Sequence, residues 1–325
     1  MIRRLTVAAL CVAALALLIP IGASAARPLR FSISEFEPAK SVHETLEGPC
    51  GAAVNSEGDL FVSDYYRSKI VVFDPSGEFL TQIAGVSPVD APCGLAIDAA
   101  GVIYANLYHG GIAVLEPSGS TYTNRGVELT THATGVAIDP VTGNLLVDER
   151  TAIGEYELPL TAGEAPLRTI GSLGDGYGLA VSDFAGTEGW VYAADAADAT
   201  VKAFDPATSL TAPVEEIDGS GTPLGRFNDL TDAALSLDNT DGHLLVADNL
   251  DGQLFEQPRA AVEEFDPAGA FLENLEPQVI DGEPIGLTVD DSGNVYVTSG
   301  NSEKATVFVY GPFPPPPPAR FAASA

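Results

Sequence analysis

A five-residue signature returns six times along this chain, and that regularity limits the possible folds more than any other feature. It reads GAAVN from Gly51, GLAID from Gly94, GVAID from Gly135, GLAVS from Gly178, DAALS from Asp232 and GLTVD from Gly286. The spacing is about 41 to 54 residues, the range of a propeller blade. A second signature follows each copy: LFVSD ending at Asp64, IYAN at Asn106, LLVD at Asp148, VYAAD at Asp195, LLVAD at Asp248 and VYVTS at Ser299. A third, FDPSG or a close variant, marks a turn in four copies. Runs of Val, Ile, Phe and Leu this short, bounded by Gly, Pro, Asn and Ser, read as strands joined by tight turns. The first unit, from Gly51, thus becomes a four-stranded antiparallel meander. Such a unit cannot bury both faces alone, so copy must stack on copy. An ordinary β-sandwich has no reason to repeat itself. The expected fold is all-β, a six-bladed β-propeller of four-stranded antiparallel blades.

The unit from Gly51 resembles the NHL repeat, with Gly51, Val54, Gly58, Val62, Asp64, Lys69 and Ile70 in the characteristic places. The resemblance covers roughly residues 49–311 and fades in blades two and three, where the basic position is lost and Asn106 replaces Asp. It implies a six-bladed propeller of the gluconolactonase-like and propeller-lyase-like kind. It implies no one activity, because the same scaffold carries lyases, lactonases and plain binding proteins.

The two ends differ from this body. Arg3 and Arg4, an apolar run from Leu5 to Ile19 and the small-residue site Ala23-Ser24-Ala25 read as a secretory signal over residues 1–25. That run is too short to span a bilayer, and no later stretch is apolar enough. Residues 26–312 then form the propeller as one domain. Residues 313–325 form a disordered proline-rich tail, since consecutive prolines fix φ and remove backbone donors. Blade six supplies only three clear strands, Gly286 to Asp290, Asn294 to Thr298 and Thr306 to Tyr310, while Arg30 to Phe36 is a strand without a turn partner. The two deficits match, so the N-terminal strand is expected to complete the last blade and close the ring.

Charge excludes some functions. The chain carries 45 acidic against 15 basic residues, net −30, and loss of Arg3 and Arg4 with the signal moves this to −32. Such a polyanion repels nucleic acid and anionic lipid surfaces. No nucleic-acid partner and no membrane span are expected, and a monomer is. Cys50 and Cys93, the two cysteines left after the signal, each precede the first glycine of strand one in neighbouring blades. Export favours a disulfide between them. The alternative is two buried thiols, because inner strands of adjacent blades can lie further apart than the reach of a disulfide, about 7 Å between Cα atoms.

Chemistry on a propeller gathers where the loops entering strand one and those joining strands two and three meet at the channel mouth. His43, His109 and His132 fall in those loops and could hold zinc, an arrangement that would resemble the propeller lyases acting on peptidyl-hydroxyglycine, with Tyr65 and Arg150 completing the site. Against this, their places in the repeat are irregular. Asp148, Asp195 and Asp248 end successive second strands, with Asp198, Asn249 and Asp251 just beyond, so calcium is the other candidate metal, as in gluconolactonase-like and paraoxonase-like propellers. The simpler reading is that the Asp ending strand two caps its own loop through backbone N–H groups. The segment Asn249 to Arg259, which carries Phe255, reads as a long loop joining strands two and three of blade five and as a specificity element. The segment Asp238 to Gly242 reads as a turn on the opposite face.

No nucleophile elbow, glycine-rich phosphate loop or paired CxxC is present. The expected function is a secreted binding or scaffold module that takes a protein or small molecule at the channel mouth. The alternative is a calcium- or zinc-dependent lyase or lactonase on the same face.

Overall fold

The computed structural model describes residues 27–84, 90–119, 121–228, 230, 235–250, 259–275, 280–281, 284–300 and 305–311. The proposed signal, most of the proline-rich tail, Asp251 and Phe255 lie outside the described residues.

Six antiparallel sheets follow one another along the chain, each built on one copy of the repeat. The innermost strands are Pro49–Val54, Pro92–Ile97, Gly135–Ile138, Gly176–Val181, Leu235–Asp238 and Pro284–Val289. Each contacts the next, and the last contacts the first, so the sheets form a closed six-bladed propeller. Blade six consists of Pro284–Val289, Val295–Ser299, Thr306–Tyr310 and, on its outer edge, Leu29–Ile33 from the chain's start. Leu29 pairs with Tyr310 and Ile33 with Val307, which gives the expected closure.

Two expectations need correction. The N-terminal strand ends at Ile33, not Phe36. Glu35–Ala39 instead turns back on Val42–Thr45 in a separate two-stranded hairpin. Phe36 explains the break: its ring stacks on Phe79 at 5.3 Å and meets Phe73 edge-on at 5.9 Å, which draws the chain onto blade one. In blade five, Asn249 and Leu250 belong to strand two (His243–Leu250) and Arg259 to strand three (Arg259–Phe265), paired as far as Leu250 with Arg259. What reads as one long loop is therefore partly an extended ladder, joined on its other side by Ile280–Asp281.

The core is distributed between blades. Six clusters of buried apolar residues each combine neighbouring blades, for example Leu60, Val71 and Phe73 of blade one with Tyr296, Val307 and Val309 of blade six. Phe204 of blade four likewise packs with Leu146 and Ile153 of blade three. Both faces of each sheet are thus buried, which is why strands such as Lys69–Phe73 are buried at every position rather than alternately.

Around the axis the repeat glycines permit close approach. A Cβ on Gly51 would lie 2.1 Å from the Cys93 carbonyl oxygen, and one on Gly286 2.2 Å from that of Cys50. The register slips at the start of strand one in blades one, two, four and six, a bulge that tilts the strand end toward its neighbour. Hydroxyls then bridge the blades: Ser63 donates to the Cys93 carbonyl at 2.6 Å and Thr298 to that of Cys50 at 2.6 Å. Cys50 and Cys93 form a disulfide with Cα atoms 4.9 Å apart. Among the described residues no helix is long and apolar enough to cross a membrane.

Candidate functional site

The axial channel is too narrow for a ligand: its cavity is ≈ 90 Å³, pinched by Gly51, Gly94, Gly135, Gly178, Leu235 and Gly286. A larger hollow of ≈ 480 Å³ lies off axis at the mouth, under the loops of blades two, three and four. Ligand pockets commonly run from about 300 to 1,000 Å³.

Each element contributes a side chain where its strand ends. Tyr108 and His109 follow strand two of blade two (Ile103–Leu107), in a tight turn made possible by positive φ at Gly110 and Gly111. His132 and Thr134 lead into strand one of blade three, and Tyr177 lies at the start of strand one of blade four. Arg150 follows strand two of blade three (Leu145–Asp148) and has φ 71, a left-handed conformation uncommon for a side chain of this size. Three contacts hold its head: Nη2 donates to Asp175 Oδ1 at 2.6 Å and to the Tyr177 hydroxyl at 3.1 Å, and the guanidinium lies 5.0 Å from the Tyr177 ring centre. Asn106 forms part of the floor. Its amide donates to the Ala133 carbonyl at 3.3 Å, and its buried Oδ1 is left without a partner.

A row of rings leads to this cavity from blade one. Tyr66, Tyr65, Tyr108 and His109 meet edge to face, with centroids 5.0, 5.4 and 5.4 Å apart. Tyr66 and Tyr108 are each 63% exposed.

Among the residues singled out in the sequence, the fold thus brings His109, His132 and Arg150 to one cavity, with Tyr65 beside it. His43 stands apart: it lies in the N-terminal hairpin, largely exposed, 3.3 Å from Glu37. The three histidines form no ligand set, nor do Asp148, Asp195 and Asp248. Among the described residues the one group of three donors within 4.8 Å of one another is Asp241, His243 and Glu264, at the opposite end of blade five. There Arg27 already supplies the positive charge, paired with Asp238, with Glu264 at 2.9 Å and with Asp241 at 3.5 Å.

The carboxylates at or near the end of strand two have the capping role. Asp64 accepts from Glu47 N at 3.2 Å and Gly48 N at 3.0 Å, Asp195 from Gly174 N at 2.8 Å and Asp175 N at 3.0 Å, and Asp248 from Asn228 N at 3.0 Å. Asp148 accepts from Arg150 N at 2.8 Å; burial is the main cause of its carboxyl being pushed up to about 7. Asp195 and Asp198 each lie 2.7 Å from Lys202 Nζ, which commits both to an ion pair away from the cavity. Asn249 lies in blade five, outside the lining of the cavity.

Tyr108 and Tyr177 escaped the sequence reading. The repeat could have found both, since Tyr108 follows strand two as Tyr65 does, and Tyr177 precedes the repeat glycine as Cys50 and Cys93 do.

Comparison with known proteins follows the fold. No protein-family model matches the sequence, and no curated protein matches it. Among solved structures, a streptogramin B lyase superposes with a TM-score of 0.54 at 14% identity, covering 87% of this chain and 97% of that one. A catalytically inactive histidine-to-alanine variant of virginiamycin B lyase from Staphylococcus aureus, bound to quinupristin, gives a TM-score of 0.54 at 11% identity, covering 83% of this chain and 82% of that one. At such identity the likeness is one of fold.

Proposed function

We propose that this chain is an exported, NHL-like binding propeller that captures a small molecule, or a side chain of a partner, in the off-axis cavity between blades two and four. The observation that carries this reading is the convergence of His109, His132, Arg150, Tyr108 and Tyr177 on one hollow of ligand size. Aromatic walls supply apolar contact, and the imidazoles and guanidinium fix orientation by hydrogen bonding. The exposed row from Tyr66 to Tyr108 extends the contact surface toward blade one.

A second reading, an elimination catalysed on the same face, is favoured by the two cavity histidines together with fold neighbours that are lyases, one of them inactivated by loss of a histidine. In that case His109 or His132 takes up a substrate proton as general base. A zinc-dependent form of this reading gains nothing from His43, which is elsewhere.

Quinupristin is a usable first probe, followed by a thermal-shift survey of small molecules bearing aromatic rings. For the binding reading, a compound that stabilises the wild type should lose that effect in Arg150→Ala and Tyr108→Ala; stabilisation surviving both places capture elsewhere and overturns it. Consumption of the bound compound, followed by chromatography and abolished in His109→Ala or His132→Ala, would establish the lyase reading instead. Export is checked separately: the protein recovered outside the cell should begin at Ala26.

A further inference from the structure

The chain is strongly acidic, yet the off-axis cavity between blades two and four has no carboxylate in its lining. A sequence with 45 acidic residues against 15 basic ones and four histidines still places Arg150, His109 and His132 around one hollow of ≈ 480 Å³. The direction of the hydrogen bonds narrows what can bind there. Arg150 Nη2 is committed to Asp175 Oδ1 at 2.6 Å and to the Tyr177 hydroxyl at 3.1 Å, whereas Nη1 and Nε have no acceptor among the described residues and the side chain is 37% exposed. Because the Tyr177 oxygen accepts from Arg150, its own proton is left to donate. The Thr134 hydroxyl is spent on the Gly176 carbonyl at 3.0 Å. Asn106 Oδ1, the acceptor end of the amide in the floor, is buried against Gly94 on the axial side, where a Cβ would meet it at 2.4 Å. The lining therefore offers a ligand positive charge and free donors but no carboxylate.

We propose that the ligand of this cavity is an aromatic carboxylate, its charged end held by Arg150 and the Tyr177 hydroxyl and its ring lying against Tyr108. The inference rests on the capture reading above and adds the sign of the ligand's charge. The pair with Asp175 does not disqualify Arg150, since a guanidinium can take two carboxylates: Arg67 in blade one lies 2.5 Å from Glu47 and 3.4 Å from Glu44. The net charge of −30 opposes an anion only at long range, because physiological salt screens it beyond about 8 Å. A cationic ligand finds no carboxylate in the lining to neutralise it, and a neutral one leaves the free guanidinium hydrogens to water.

The experiment titrates the full chain, by calorimetry at physiological salt and neutral pH, with three probes that share one ring system and differ in charge: indole-3-acetate, indole-3-acetamide and tryptamine. The acetate should bind about tenfold or more tightly than the amide, as the loss of a charge-assisted hydrogen bond implies, and the amine most weakly. Tyr177→Phe keeps the ring beside the guanidinium and so tests the hydroxyl without dismantling the site; the preference for acetate over amide should fall several-fold. In Arg150→Gln it should vanish. Amide or amine binding as tightly as acetate, with all three weakened in Tyr108→Ala, overturns the anionic assignment and leaves capture in this cavity standing. Binding of all three that survives Tyr108→Ala and Arg150→Ala overturns the capture reading and this inference with it. An acetate preference undiminished in both Tyr177→Phe and Arg150→Gln, or an acetate that does not bind, also overturns the inference.

Discussion

Glycine at the head of strand one is a matter of space. Gly51 and Gly286 have no positive φ, yet a Cβ on either would collide with the backbone of the next blade, which cannot swing aside as a flexible side chain would. Gly51→Ala should therefore destabilise by roughly 1–3 kcal/mol, the range for overpacking a tight contact. Gly221, with no atom within 4 Å of its missing Cβ and no positive φ, is the control. Gly221→Ala should leave the urea midpoint unchanged, and equal effects of the two substitutions would refute the close-approach argument. The same crowding holds at the end of strand two in blade three, where Asp148 Oδ1 would lie 2.4 Å from a Cβ on Gly176.

Among the elements, the inner strands of blades one and two are joined covalently, whereas blade six is closed without a covalent bond. The Cys50–Cys93 disulfide spans 43 residues. In the chain-entropy account a loop of that length is worth on the order of 4 kcal/mol. Cys50→Ser with Cys93→Ser should lower stability by about that amount, and reduced wild type should unfold at the same denaturant concentration as the double variant. A double variant as stable as the oxidised wild type would show that the Ser63 and Thr298 hydroxyl bridges suffice. The N-terminal strand depends on more than its ladder with Thr306–Tyr310. Arg27, almost fully buried, pairs with Asp238 and Glu264 and so ties the chain's start across to blade five.

For the molecule as a whole, pH should act through groups that hold protons more firmly when folded. Burial above all raises the Asp148 carboxyl from 3.8 to about 7, aided by the charge of Asp195 and opposed by Arg150 N–H and Thr134. His243 is also raised above 6.5: burial and Arg27 oppose its charge, but the hydrogen bond to Glu264 at 2.6 Å and the charge of Asp241 outweigh them. For both, the folded value exceeds the unfolded one, so their stabilisation is complete below the unfolded value and is lost as pH rises through the folded one. The net charge of −30 acts in the same direction. Asp195 sets the acid limb. Burial opposes its ionisation, but Lys202 and the N–H groups of Gly174 and Asp175 lower it below 3.8, so its contribution fades in strong acid. The thermal midpoint should therefore be higher near pH 5 than near pH 8. Asp148→Asn should flatten the fall between about pH 4 and 7, and His243→Gln the part above about 6.5. A wild-type midpoint rising over that interval would contradict both assignments.

Sequence alone determined the number of blades, the residues that end strand two in blades one, three, four and six, and the closure of blade six, because each rests on a local pattern repeated at one period. Alternation of strand and turn signals is a short-range property, and six copies remove the ambiguity that one would leave. Tertiary structure decided what meets what. His43 reads like His109 in the chain, but Phe36 packs on Phe73 and Phe79 and carries its hairpin away from the cavity. Tyr177 and Arg150 come from different blades and touch only because the ring brings blade three against blade four. Contacts between blades depend on how slabs of core stack around an axis, a geometry that no window of forty residues contains.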